Sequence, residues 1–330
     1  MPPFYSHRKS TPLSLGVGLV LFFIVGVETV HAEGLSFSKD VQDSGTKVTL
    51  LDIHFQDNHR GWTVGAAGTM LHTIDGGKQW STLPRRTNVL LTALTFVDTQ
   101  HGWVVGQNGM ILHSSDGGNK WKPQASGTNS TLYGVFFLTP SVGWVVGSRG
   151  MILQTLDGGL SWGDQSSLVT ADLFGIQFVN EKVGWAVGAL GVILATTDGG
   201  DHWTQQETQS PATFFDLSFS DSSVGWVVGT QGSIFQTLNG GKTWADRTLP
   251  CGAPCIKPPD LVKIHFSDKM RGWIAGERGV ILSTRDSGFT WVEADPITDV
   301  SLYGLSFPDS TNGWVVGDHG TIVKLSMPAP

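Results

Sequence analysis

The side chains with the most chemical potential in this 330-residue chain are few and scattered. Its two cysteines are Cys251 and Cys255, separated by Gly-Ala-Pro. A structural metal site would want four ligands, and no histidine pair stands near them at metal spacing. Cys-x-x-x-Cys in an exported chain reads as a local disulfide, worth roughly 2 kcal/mol for so small a loop. A redox-active dithiol is the sharper alternative, and labelling of free thiols separates the two. The ten histidines are dispersed. His54 and His265 each precede a phenylalanine and are expected to alternate outward; no histidine pair has ligand spacing on one element, so no metal and no cofactor are expected. HExxH, GxSxG and glycine-rich phosphate loops are absent. The residues therefore offer no catalytic constellation.

What positions these residues is a repeat. Seven tryptophans follow a glycine, at 62, 103, 144, 185, 226, 273 and 314, with spacings of 41 residues except one of 47. The other six, at 80, 121, 162, 203, 244 and 291, each lie 18 residues after a partner, so one unit accounts for all 13. A period near 41 marks a repeat architecture. Within a unit, 132–137 (LYGVFF), 143–147 (GWVVG) and 151–155 (MILQT) read as short strands between glycine- and aspartate-rich turns. Four such strands per unit predict an all-β, seven-bladed β-propeller of four-stranded blades, with almost no helix. The 43 glycines exclude collagen by lacking a three-residue period, and the aromatics exclude a disordered chain.

The last unit lacks its fourth strand. Aligned by the period, 37–46 (FSKDVQDSGT) falls opposite 119–128 (NKWKPQASGT), with Lys39 in the tryptophan position. The N-terminal strand is thus expected to complete the seventh blade and close one domain over residues 36–326, leaving only short edges. Ahead of it, residues 1–32 have the basic start, apolar run (Leu13 to Val27) and small-residue cleavage site of a signal peptide. An uncleaved anchor is the alternative. Export to the periplasm or the extracellular side follows. The formal net charge of −7 argues against a nucleic-acid partner, whose phosphates must be neutralised.

The box that ends each complete unit, such as SSDGGNKW (114–121) and TRDSGFTW (284–291), resembles the Asp-box of sialidase-type repeats. Its polar members are Asp75, Asp116, Asp157, Asp198, Asn239 and Asp286. Six undifferentiated copies point to a structural turn rather than a ligand site. The fuller unit, GWVVGxxGxILxTxDGGxxW, is similar to the photosystem II stability and assembly factor family. That resemblance covers about 290 residues and implies a non-enzymatic scaffold that binds a membrane protein or an assembly intermediate; the chain is expected to be a monomer. It implies the thylakoid lumen side where the host is photosynthetic. The alternative is a carbohydrate-binding or sialidase-like Asp-box protein. A sialidase needs an arginine triad and a tyrosine nucleophile. Here Tyr133 and Tyr303 occupy strand positions held elsewhere by Phe174, Phe215 and Leu51, so aromatic packing explains them.

The positions that break the repeat are the better candidates for binding. In each Gly-x-x-Gly turn the central pair changes, and includes Ser148-Arg149, Glu277-Arg278 and Asp318-His319. A closed propeller brings all seven turns to one face, together with connections such as Pro84-Arg85-Arg86-Thr87. Arg85, Arg86, Arg149 and Arg278, with Asp318 and His319, are the candidate partner-binding residues. Guanidinium forks suit a carboxylate-bearing partner.

Overall fold

The computed structural model describes residues 37–250, 257–295 and 298–327; residues 1–32, read above as a signal peptide, and both cysteines lie outside them. The described residues form seven four-stranded antiparallel sheets. Blade 1 runs Leu50–Phe55, Gly61–Gly65, Met70–Thr73 and Ser81–Thr82 from the axis outward, and blades 2 to 6 repeat it. The first strand of every blade lines one central channel. Helix among the described residues is limited to three-residue 3₁₀ turns.

Blade 7 is built from both ends of the propeller. Leu302–Ser306, Asn312–Gly317 and Ile322–Ser326 are joined by the N-terminal strand Ser38–Gln42, which pairs antiparallel with Ser38 opposite Ser326 and Gln42 opposite Ile322. This is the expected closure, and it also reaches into blade 1. The Gln42 amide donates to the Gly76 carbonyl at 3.0 Å and accepts the Trp80 indole N–H at 3.1 Å. Gln124, Gln165 and Gln206 make the same bond to Gly158, Gly199 and Gly240 in their own neighbouring blades. The closing strand thus uses the latch of the interior blades.

The core lies between blades. Each Gly-Trp tryptophan stacks on the phenylalanine that ends the first strand of the next blade. Trp103 on Phe137 has its ring centroid at 3.5 Å, Trp144 on Phe178 at 3.6 Å, and Trp314 on Phe55, across the closure, at 3.6 Å. The Asp-box tryptophan of that next blade meets the same phenylalanine edge-on, as Trp162 meets Phe137 at 5.9 Å. Offset and edge-on contacts are the favoured aromatic geometries, each adding to the area buried. In blade 7, where Lys39 replaces that tryptophan, Phe37 packs in the same cluster as Phe307.

The Asp boxes behave as structural turns. Thr73 Oγ1 donates to Asp75 Oδ1 at 2.8 Å and accepts the Gly77 N–H, while Asp75 Oδ1 accepts the Gln79 N–H at 3.0 Å. The same pattern recurs at Asp116, Asp157, Asp198, Asn239 and Asp286. Bonds donated by Ser161 hold the Asp157 carboxyl down to about 2, and those from His202 do the same for Asp198. The second glycine of the box is fixed by contact. At Gly118 φ is +77°, and a Cβ would lie 2.3 Å from the Trp62 indole nitrogen of the preceding blade.

Candidate functional site

Strand alternation decides which residues share a face. The Gly-x-x-Gly turns and the connections between blades come out at one end of the ring, and backbone bonds tie them together. Gly109 N–H donates to Ser130 O and Gly191 N–H to Ala212 O, both at 2.8 Å. Asp boxes occupy the opposite end. On the turn face Arg85, Arg86, Arg149, Arg278 and His319 are exposed. Arg149 belongs to blade 3, Arg85 and Arg86 to the connection from blade 1 to blade 2, and Arg278 to blade 6 on the far side of the ring. The Arg278 guanidinium donates to the Lys257 carbonyl at 2.7 Å. Asp318 is half-buried, accepting the Thr49 hydroxyl at 2.9 Å and the Tyr303 hydroxyl at 3.1 Å. In each turn the second variable residue and the closing glycine take a left-handed conformation; Arg149, Arg278 and His319 have φ of 59°, 56° and 58°.

The turn face surrounds the mouth of the channel, whose cavity is about 620 Å³. Its wall contains charges that the repeat alone does not announce. Lys263 of blade 6 sits 3.7 Å from Asp52 of blade 1 and 3.9 Å from Asp216 of blade 5. The two carboxylates also serve the backbone. Asp52 accepts the Leu94 N–H at 2.9 Å and Asp216 the Ile264 N–H at 3.0 Å, each from the next blade's innermost strand. That strand has an unpaired edge toward the axis, and its N–H groups need such partners. Burial raises both aspartates above their usual range, with Lys263 pulling the other way. The two carboxylates in turn raise Lys263 despite its burial. The signal in the sequence was the third residue of the innermost strand, which reads Asp52, Ala93, Gly134, Gly175, Asp216, Lys263 and Gly304.

His54 and His265 do not point outward as alternation suggested. Both faces of an innermost strand meet a neighbouring blade, so the side chain opposite a core phenylalanine is half-buried between blades at the channel wall. His54 lies against Phe96 at 5.7 Å and His265 against Phe307 at 6.1 Å. Burial pushes each imidazole from 6.5 down to about 4, reinforced by His265 for the first and Lys263 for the second. The unfolded chain therefore binds protons that the folded one refuses between these values. Their stabilisation is complete above about pH 7 and is lost as pH falls toward 4, by roughly 2–3 kcal/mol for each. Urea unfolding at pH 7.5 and 4.5 is expected to show this slope, and His54→Gln to flatten it. An unchanged slope in the variant would remove the histidines as its cause.

No curated protein matches the sequence significantly. The solved structure "YCF48 bound to D1 peptide" is 20% identical with a TM-score of 0.71, covering 89% of this chain and 97% of that one. YCF48 from Cyanidioschyzon merolae is 22% identical with a TM-score of 0.71, covering 88% and 98%. A streptogramin B lyase is 15% identical with a TM-score of 0.76, covering 88% and 98%. At such identities these likenesses establish the propeller fold, which hosts enzymes and binding proteins alike. The sequence itself is more specific. The family described as photosynthesis system II assembly factor YCF48 matches residues 35–125, 119–210 and 202–296. Those matches take in most of the propeller and its tryptophan-glycine unit, and the chain belongs to that family.

Proposed function

We propose that this protein is an exported, non-enzymatic, monomeric scaffold that holds a membrane protein, or an assembly intermediate containing one, on its turn face. It works in the periplasm or outside the cell, or on the thylakoid lumen side where the host is photosynthetic. One observation carries this reading: the repeat-invariant tryptophans and glycines are consumed by the fold, whereas the central pair of each Gly-x-x-Gly turn differs from blade to blade and its second member is exposed in all seven. The Asp-box carboxylates are occupied by their own turns, which argues against a carbohydrate site there. Family membership, and a relative solved with a D1 peptide, supply the class of partner.

Arginine is the residue suited to forked bonds with carboxylates, so a peptide or loop bearing acidic groups is the expected contact. A D1 peptide is the probe. Replacing Arg85, Arg86, Arg149 and Arg278 together by alanine is expected to weaken its capture at least tenfold and to abolish the salt dependence of binding. Undiminished capture by the quadruple variant would sink the role of these arginines.

A further inference from the structure

The repeat makes unusual residues visible, and two leucines on the turn face break it in the same manner. Leu168, in the connection from blade 3 to blade 4, is 85% exposed with φ of +60°. The equivalent positions in blades 7 and 2 are Gly45 and Gly127, at φ of +67° and +76°. Ser167 Oγ bonds Val169 O just as Ser126 Oγ bonds Thr128 O, so the turn is the same and only the side chain differs. Leu190, in the Gly-x-x-Gly turn of blade 4, is 77% exposed with φ of +59°; the other blades share this backbone conformation but hold Ala67, Asn108, Arg149, Gln231, Arg278 and His319 there, so the break is its large exposed apolar side chain. Glycine and asparagine are the residues that enter this region readily; a leucine there works against the backbone and against the hydrophobic effect at once. Folding gains nothing from either residue.

The same sector of the channel mouth is aromatic. Tyr133, Phe174 and Phe215 occupy the second position of the innermost strands in blades 3, 4 and 5, half-buried, with successive ring centroids 5.1 and 5.8 Å apart. Blades 1, 2 and 6 have Leu51, Thr92 and Val262 there, and blade 7 has a separate Tyr303 whose hydroxyl is bonded to Asp318. One carboxylate links this arc to the turn. Asp172 accepts the Arg149 backbone N–H at 2.8 Å through Oδ1 and faces the Tyr133 hydroxyl at 3.5 Å through Oδ2. Arg149 itself is exposed, and among the described residues its guanidinium has no carboxylate within ion-pair distance. Two exposed leucines, an aromatic arc and a guanidinium without a carboxylate partner thus share blades 3 to 5.

We propose that this sector of blades 3 to 5 seats an extended peptide segment carrying an aromatic or branched apolar side chain next to a carboxylate. The apolar side chain rests on Leu168, Leu190 and the ring arc, and the carboxylate takes the Arg149 fork. This deepens the proposed function by choosing one sector of the turn face, and it rests on that reading for the face alone. A flat apolar surface for lipid would need no paired charge, which favours a peptide.

The test uses the whole propeller with two fluorescein-labelled probes: a D1 peptide, and a Gly-Ser host peptide with an Asp-Leu-Phe core. The double variant Leu168→Gly/Leu190→Asn installs residues that sister blades already use at these positions. It is expected to melt at or above the wild-type temperature, yet to bind either peptide about tenfold more weakly by fluorescence anisotropy. Leu160→Ser, which removes an 84% exposed leucine from the Asp-box end, is expected to change nothing. Arg149→Ala is expected to weaken the host peptide but not its Asp→Asn form. Binding of the D1 peptide that the double variant leaves intact would overturn the seat while the proposed partner stands. Binding of the host peptide alone, lost in the double variant, would support the seat and remove D1 as partner. Absence of binding to both peptides, or a loss confined to anionic phospholipid vesicles, would overturn it.

Discussion

Trp103→Ala is expected to lower folding stability by about 3–5 kcal/mol, the scale for deleting a fully buried aromatic. Trp103 has no exposed surface and stacks on Phe137 of the next blade at 3.5 Å, with the two planes 8° apart. His113 lies over its other face at 4.7 Å, and the indole N–H donates to Gly158 O at 3.3 Å. Removing the ring leaves a cavity that two sheets border, and neither can close it without disturbing its own register. The loss falls on the joint between blades 2 and 3, so cooperativity should suffer with stability. Equilibrium urea unfolding followed by fluorescence measures both. Trp80, half-buried at the ring closure, is expected to cost less on the same substitution. A loss under 1 kcal/mol for Trp103→Ala would refute the stack as the fastening between blades.

The second large effect is expected in the channel. Lys263→Met should cost about 2–3 kcal/mol at pH 7, because it strands the buried Asp52 and the partly buried Asp216 without their cation, while the part of Lys263 that faces the channel keeps the loss below that of a fully enclosed pair. The pH dependence identifies the cause. Burial already raises both aspartates, and losing Lys263 raises them further. A raised carboxyl binds protons in the folded state at a pH where the unfolded chain has released them, so stability falls as pH rises through that range. The deficit of Lys263→Met against wild type should therefore shrink on acidification. Neutralising the carboxylates as well, in Lys263→Met/Asp52→Asn/Asp216→Asn, should restore most of the loss while keeping acceptors for the Leu94 and Ile264 N–H groups. A single variant as stable as wild type at pH 7 would show that Lys263 leaves the carboxylates unaffected.

The scaffold was readable because each blade repeats one set of local instructions. Tryptophan spacing, glycine turns and the orphaned strand at 37–46 gave blade count and closure without any long-range information. The phenylalanines that complete the core were present in the same register: Phe55, Phe96 and Phe137 each precede a Gly-Trp tryptophan by seven residues. Their partner is nonetheless the tryptophan of the preceding blade, and no local pattern states that. His54 and His265 show the limit from the other side. Alternation implies an inside and an outside, which holds for a sheet with one wet face. A propeller blade has a neighbour on each face, and both histidines are half-buried between blades at the channel wall.

Sequence by itself determined the family, the blade, the number of blades and the turns where variation is tolerated, since these follow from spacing within 41 residues. Tertiary structure decided which of the variable residues meet. It placed Lys263 between Asp52 and Asp216, set Arg278 across the ring from Arg149, and brought Leu168 and Leu190 to the sector of the Tyr133, Phe174 and Phe215 rings. The physical reason is ring closure. A local repeat fixes each side chain's direction within its blade, but distances across the axis exist only when the seventh blade joins the first.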